Sequence, residues 1–136
     1  MSAPVPDITG LHHISLTVTD LDRSVAWYSE VLGLGELMKE THPDGNGRAI
    51  VLGKPDWSMC VGLHTHDANV AEPFQETRTG LDHVSFRVAD RAELDNWAAH
   101  LGELGVPQSP IADIEGFGVL VFRDPDNIQL ELISLG

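Results

Sequence analysis

The chain has 136 residues and carries 21 acidic against 8 basic side chains, a formal net charge of −13 with histidine neutral. That length suits one compact domain, and the acidity argues against binding nucleic acid or an anionic membrane, whose phosphates call for a basic patch. Cys60 is the single cysteine, which excludes an internal disulfide and a cysteine-based zinc site.

Mean hydropathy is −0.06, and no apolar run reaches the length needed to cross a bilayer. The stretch Met1 to Thr9 lacks the basic start and apolar core of a signal peptide, so a cytoplasmic location is expected.

Leu11 to Val18 alternates, with Ile14, Leu16 and Val18 on one face and His13, Ser15 and Thr17 on the other, the mark of a half-buried strand. Asp20 is placed to cap a helix whose apolar positions are Leu21, Val25, Tyr28 and Leu32, and Gly33 and Gly35 end it. Strands are predicted over 36–41, 48–52 and 57–65, with the turn-rich segment His42 to Gly47 between the first two. In the last of these, Met59, Val61 and Leu63 share one face and Cys60, Gly62 and His64 the other.

Residues 67–79 are polar and contain Pro73, as expected of a connection between two halves. The second half then repeats the first. Leu11 to Gly35 lies on Leu81 to Gly105 without a gap, pairing Leu11 with Leu81, His13 with His83, Ser15 with Ser85, Val18 with Val88, Asp20 with Asp90, Trp27 with Trp97, Leu34 with Leu104 and Gly35 with Gly105. Such self-similarity marks a repeated supersecondary unit. Asp90 with Glu93 suggests a capping box, and Leu94, Trp97, Leu101 and Leu104 form the second helix stripe. A short strand within 106–115, a strong one over 117–122, the turn Asp124 to Asn127 and a final strand with Ile128, Leu130 and Leu132 facing the core complete the unit. The reading is one domain of two repeated modules, about 10–66 and 80–135, joined by the linker.

With cysteine excluded, a metal needs histidine and carboxylate donors. His13 and His83 occupy matching places in the repeats, and Glu131 lies on the closing strand; all three fall on faces opposite those that pack on helices. Two histidines and one carboxylate from three strands can hold a divalent cation with positions left open for substrate or oxygen. Each of these residues alone is more often structural or solvated; the repeat-related set is what points to metal. His12 is expected to be structural, His42 and His100 to be loop and exposed-helix residues, and His66 to be solvated. His64, on the same strand face as Gly62, is expected at the rim, with a fourth ligand or general base as its other readings.

His13-Ile-Ser-Leu-Thr-Val18, Asp20-Leu21, Ser24, Tyr28, Val31-Leu-Gly-Leu34, Gly80-Leu-Asp-His83 and Asp124-Pro-Asp126 leading to Glu131 together resemble the vicinal oxygen chelate superfamily. That superfamily includes glyoxalase I, extradiol dioxygenases, fosfomycin-modifying enzymes, methylmalonyl-CoA epimerase and bleomycin-resistance proteins. The resemblance implies an α+β fold of two βαβββ modules forming a curved mixed sheet around a small-molecule cleft, commonly in a homodimer. It also implies a divalent ion, Fe(II), Mn(II), Zn(II) or Ni(II), on His13, His83 and Glu131, chelating a substrate through neighbouring oxygens. Glyoxalase I and the epimerase take a further ligand at the position of Gly62, which has no donor side chain. The extradiol signature has a histidine near residues 113–115 and a tyrosine where Phe122 stands. The expected function is a metal-dependent enzyme acting on a small oxygenated substrate, oxygenase-like first, with His64, Ser15 and Glu115 as candidates for substrate contact or proton transfer. The other reading is a non-catalytic protein that sequesters a bleomycin-type antibiotic or natural product, which the acidity suits if the ligand is cationic.

Overall fold

A computed structural model describes residues 3–136 and shows the βαβββ order twice. The first module has β1 (Ile14–Thr17), α1 (Leu21–Leu32), β2 (Gly35–Thr41), β3 (Gly47–Gly53) and β4 (Cys60–His66). The second has β5 (Val84–Arg87), α2 (Arg91–Glu103), β6 (Ala112–Ile114), β7 (Phe117–Arg123) and β8 (Gln129–Ser134). The α+β architecture of two modules is the one expected. Each module forms its own four-stranded mixed sheet, β1-β4-β3-β2 and β5-β8-β7-β6, with its first strand at an edge and parallel to its last. Among the described residues, hydrogen bonding does not join the two into one sheet.

The helix starts follow from local chemistry. Asp20 and Asp90 hold extended backbone and accept from the amides of Arg23 and Glu93, filling donors that the first turn cannot satisfy internally. The capping box of the second helix is half made, because the Glu93 carboxylate accepts from Asn96. Gly33 takes the left-handed conformation that ends α1 and donates to Ser29. β1 is shorter than its alternating pattern, and His13 lies just before it.

The apolar faces meet in one cluster that draws on both modules, including Leu16, Val18, Tyr28, Leu52 and Leu63 from the first and Leu94, Leu101, Leu120, Phe122, Leu130 and Leu132 from the second. Burying a large apolar side chain contributes about 1.5–3 kcal/mol, against about 1 kcal/mol for a helix cap, so this shared core dominates the packing. The Asp-Pro-Asp turn adds polar ties beneath α1. The Tyr28 hydroxyl donates to Asp124 at 2.7 Å in a buried contact, and Thr19 and Arg23 donate to Asp126. Burial, then the facing Asp124 charge, holds the Tyr28 phenol far above its usual range. Burial likewise raises Asp124, opposed by the bonds it accepts from Tyr28, Ile128 and Asp126.

The connection 67–79 is fastened to the second module. Phe74 packs on the core, its amide donates to the Asp126 carbonyl, and Asn127 donates back to its carbonyl. Arg123 closes the segment with paired contacts to Glu76 at 3.0 and 2.9 Å.

Candidate metal centre

The second module brings two of the three expected donors together. Parallel pairing sets Ser85 beside Glu131, and the Ser85 hydroxyl donates to Glu131 Oε1 at 2.8 Å. Glu131 Oε2 faces His83 Nε2 at 3.8 Å. That distance is too long for a hydrogen bond. It is a few tenths of an ångström wider than the separation of about 3.4 Å between tetrahedral donors on one zinc-sized ion. On its far side, His83 Nδ1 lies 2.7 Å from Asp82 Oδ1. A carboxylate there holds the proton on Nδ1 and leaves the Nε2 lone pair facing Glu131, the outer support common to metal-binding histidines. The donor set therefore fits a divalent ion.

His13 occupies the first module's matching place, exposed, with Nδ1 2.8 Å from His12 Nδ1. The adjacent rings meet edge-on, with centroids 5.1 Å apart. His13 helps wall a cavity of about 140 Å³ that Cys60, Val84 and Ser85 also line. Ser85 is the residue bonded to Glu131, so His13 shares this space with the Glu131 support, while His83 and Glu131 are not among its walls. Among the described residues, only His42, His64 and His66 place three ligand atoms within 4.8 Å of one another.

Ser15 pairs in register with Gly62, the equivalent of the Ser85 and Glu131 pair. A Cβ at Gly62 would lie 2.5 Å from Ser15 Oγ and 3.2 Å from His64 Nε2. Glycine there makes room for both side chains, and a fourth ligand at that position is absent for a packing reason as well as a chemical one.

Several histidines sit otherwise than expected. His100 is half-buried, and its Nε2 bonds the Val31 carbonyl at the end of α1 rather than facing solvent. His42 lies in the β2–β3 loop and His66 is exposed, as expected, but His42 is half-buried with Nε2 2.9 Å from His64 Nδ1, and the His42 and His66 ring centroids are 4.7 Å apart. His12, expected to be structural, is exposed beside His13. Glu115 is an exposed turn residue with φ of 48° between β6 and β7, and it is not among the residues walling the His13 cavity. Asp82 and His12 contact His83 and His13, and adjacency in sequence is the one local signal of it.

The sequence profile of the Glyoxalase/Bleomycin resistance protein/Dioxygenase superfamily matches residues 10–132. The chain belongs to this superfamily. Its similarity extends to a putative ring-cleaving dioxygenase, MhqA, of Bacillus subtilis, 28% identical over 127 residues that cover 93% of this chain and 40% of that protein. It is also similar to lactoylglutathione lyase GLX1 of Arabidopsis thaliana, at 30% identity over 98% of this chain and 47% of the relative. The chain thus spans less than half the length of these two relatives. Among solved structures, a glyoxylase/bleomycin resistance protein/dioxygenase domain from Frankia sp. EAN1pec shares 35% identity at a TM-score of 0.84, covering 94% of this chain and 93% of that one. Fosfomycin resistance protein FosX from Listeria monocytogenes, solved with Mn(II) and sulfate, shares the fold at a TM-score of 0.69 and 20% identity over 94% and 93% of the two chains. Superfamily membership covers dioxygenases, lyases and resistance proteins alike. Among the described residues, no helix is long and apolar enough to cross a membrane.

Proposed function

We propose that this chain is a divalent-metal-dependent enzyme acting on a small substrate with neighbouring oxygens, with oxygenase-type chemistry favoured. The observation that carries the reading is the supported pair in the second module: Asp82 orients His83, Ser85 orients Glu131, and the two free donor atoms face each other at 3.8 Å. A protein that only sequestered a ligand would have no use for donors held in this way.

His13 supplies the third donor. In a homodimer, His13 of one copy joins His83 and Glu131 of the other; this accounts for a single chain that leaves His13 and His83 exposed and apart from a closed triad. The bound ion supplies Lewis acidity and open positions for substrate oxygens or dioxygen. Ser15, on the same face as His13 and beside the space over Gly62, offers a hydroxyl to the substrate. The crowding at Gly62 favours a three-ligand arrangement over the four-ligand one of glyoxalase I, which is why oxygenase chemistry ranks first.

The test is elemental analysis of protein purified without a metal-affinity column, for wild type and the His83→Ala/Glu131→Ala double variant, followed by dioxygen uptake with a panel of vicinal diols and α-hydroxycarbonyl compounds. The expected result is one equivalent of metal that the double variant loses. A wild type that gains no equivalent dependent on His83 and Glu131, even after anaerobic reconstitution, would overturn the reading. Mixing inactive His13→Ala with inactive His83→Ala is expected to restore part of the activity, because one shared site in the mixed dimer keeps every ligand.

A further inference from the structure

The histidines of the first module converge at the opposite end of its sheet from His13. β2 and β3 form a hairpin closed by the bond from the His42 amide to the Gly47 carbonyl, and β3 pairs with β4 so that Gly47 stands opposite His66 and Ala49 opposite His64. Residues two apart on a strand share a face, so His64 and His66 project together. The floor beneath them is small. A Cβ at Gly47 would lie 2.5 Å from His42 Nδ1, and one at Gly62 would crowd His64 Nε2, so the rings rest over backbone that only glycine leaves open.

The geometry points to a second divalent-metal site, formed by His42, His64 and His66, selective for an imidazole-favouring transition ion of the Zn(II) type. Their ligand atoms all lie within 4.8 Å of one another. The closest pair, His42 Nε2 and His64 Nδ1, is 2.9 Å apart and needs to open only to about 3.3 Å to flank one ion with metal–nitrogen bonds of about 2.0–2.1 Å. A hydrogen bond between those two nitrogens places one N–H against one lone pair. A tautomer change on one ring, to His42 Nδ1 or His64 Nε2, frees both lone pairs without ionising either.

Neutral imidazole is the ligand form. Glu40 pairs with Ala49, which pairs with His64, so its carboxylate lies in the same cross-strand row. The fourth position is left to water or to that carboxylate. An ion here would clasp the β2–β3 hairpin to β4, three elements with no covalent tie other than the chain.

The site is independent of His83 and Glu131, so the test uses the His83→Ala/Glu131→Ala background. Co(II) and Zn(II) are titrated into the apo protein, with Zn(II) affinity read by competition with a chromophoric chelator. The expected result is one equivalent per chain, visible absorption bands of four-coordinate Co(II), a Tm that rises with Zn(II), and slowed amide exchange in 41–48 and 64–66. His42→Ala or His66→Ala should each weaken Zn(II) by at least about tenfold, the scale expected when a metal site loses a supporting group. Absence of a stoichiometric equivalent, or an affinity untouched by either substitution, overturns the site. Should the background variant fail to fold, wild type serves instead: His42→Ala should lower the Zn(II) stoichiometry from two to one, and an unchanged value overturns the proposal. Failure here leaves the His83 and Glu131 equivalent intact, so the two readings fail separately.

Discussion

The two modules share a topology and differ on one face. In the second, Ser85 stands opposite Glu131; in the first, Ser15 stands opposite Gly62 at the same register. The second supports its histidine with a carboxylate, Asp82, and the first with an imidazole, His12. The hairpins differ too. β2 and β3 are seven residues each and carry His42 at their turn, whereas β6 has three residues and turns through Glu115 and Gly116, at φ of 48° and 86°. The core faces keep matching apolar residues because both must cover a helix. The open faces are free of that demand, so opposite the shared serine one module holds a carboxylate and the other a glycine beside a histidine cluster.

The largest expected effect comes from cutting what couples the modules. Asp124→Ala removes the acceptor of the buried Tyr28 hydroxyl and of the Asp126 and Ile128 amides, and urea denaturation should show a loss of about 3 kcal/mol. Asp124→Asn retains an oxygen for the amides and should lose clearly less. Making the first module resemble the second at its divergent position comes next. Gly62→Ala forces a Cβ against Ser15 Oγ and should cost about 2 kcal/mol; Ser15→Gly in the same chain should recover most of it, a coupling that a double-mutant cycle reads directly.

Asp82→Asn should weaken metal binding at the proposed centre by about tenfold, through lost orientation of His83, with Tm little changed since Asp82 is exposed. Where the modules agree, the effects should agree. Asp20→Ala and Asp90→Ala should each cost about 1 kcal/mol, and a large inequality would show that one cap carries tertiary strain.

The smallest effect is a pH dependence confined to the first module. Folding depresses His64 below the ordinary imidazole value of 6.5, so the unfolded chain takes up a proton that the folded one resists. Stability should therefore be full above pH 6.5 and decline as pH falls from there through the folded pKa. His64→Gln should flatten that decline in metal-free protein, measured by Tm from neutral to mildly acidic pH. An unchanged slope would place the titration elsewhere.

Much of this architecture is written locally. Period-two alternation gave the strand faces, Asp20, Gly33 and Asp90 marked helix ends, and the ungapped repeat from Leu11 and Leu81 announced two like modules. The residues Ser15, Gly62, His83 and Glu131 could be assigned to open faces because side-chain parity depends on neighbours one and two positions away. Residues whose surroundings come from distant chain were not legible. His100 reads as an exposed helix residue until α2 meets the Val31 carbonyl, 69 positions earlier. His42 reads as a loop residue until hairpin register lays it over Gly47 and against His64. The sequence by itself determined the elements, their order, the faces and the candidate donors, since each rests on spacing within a few residues. Only the tertiary structure decided that His83 and Glu131 meet while His13 lines a cavity with Ser85, and that three further histidines converge, because such proximities depend on strand register and inter-module packing that no local pattern encodes.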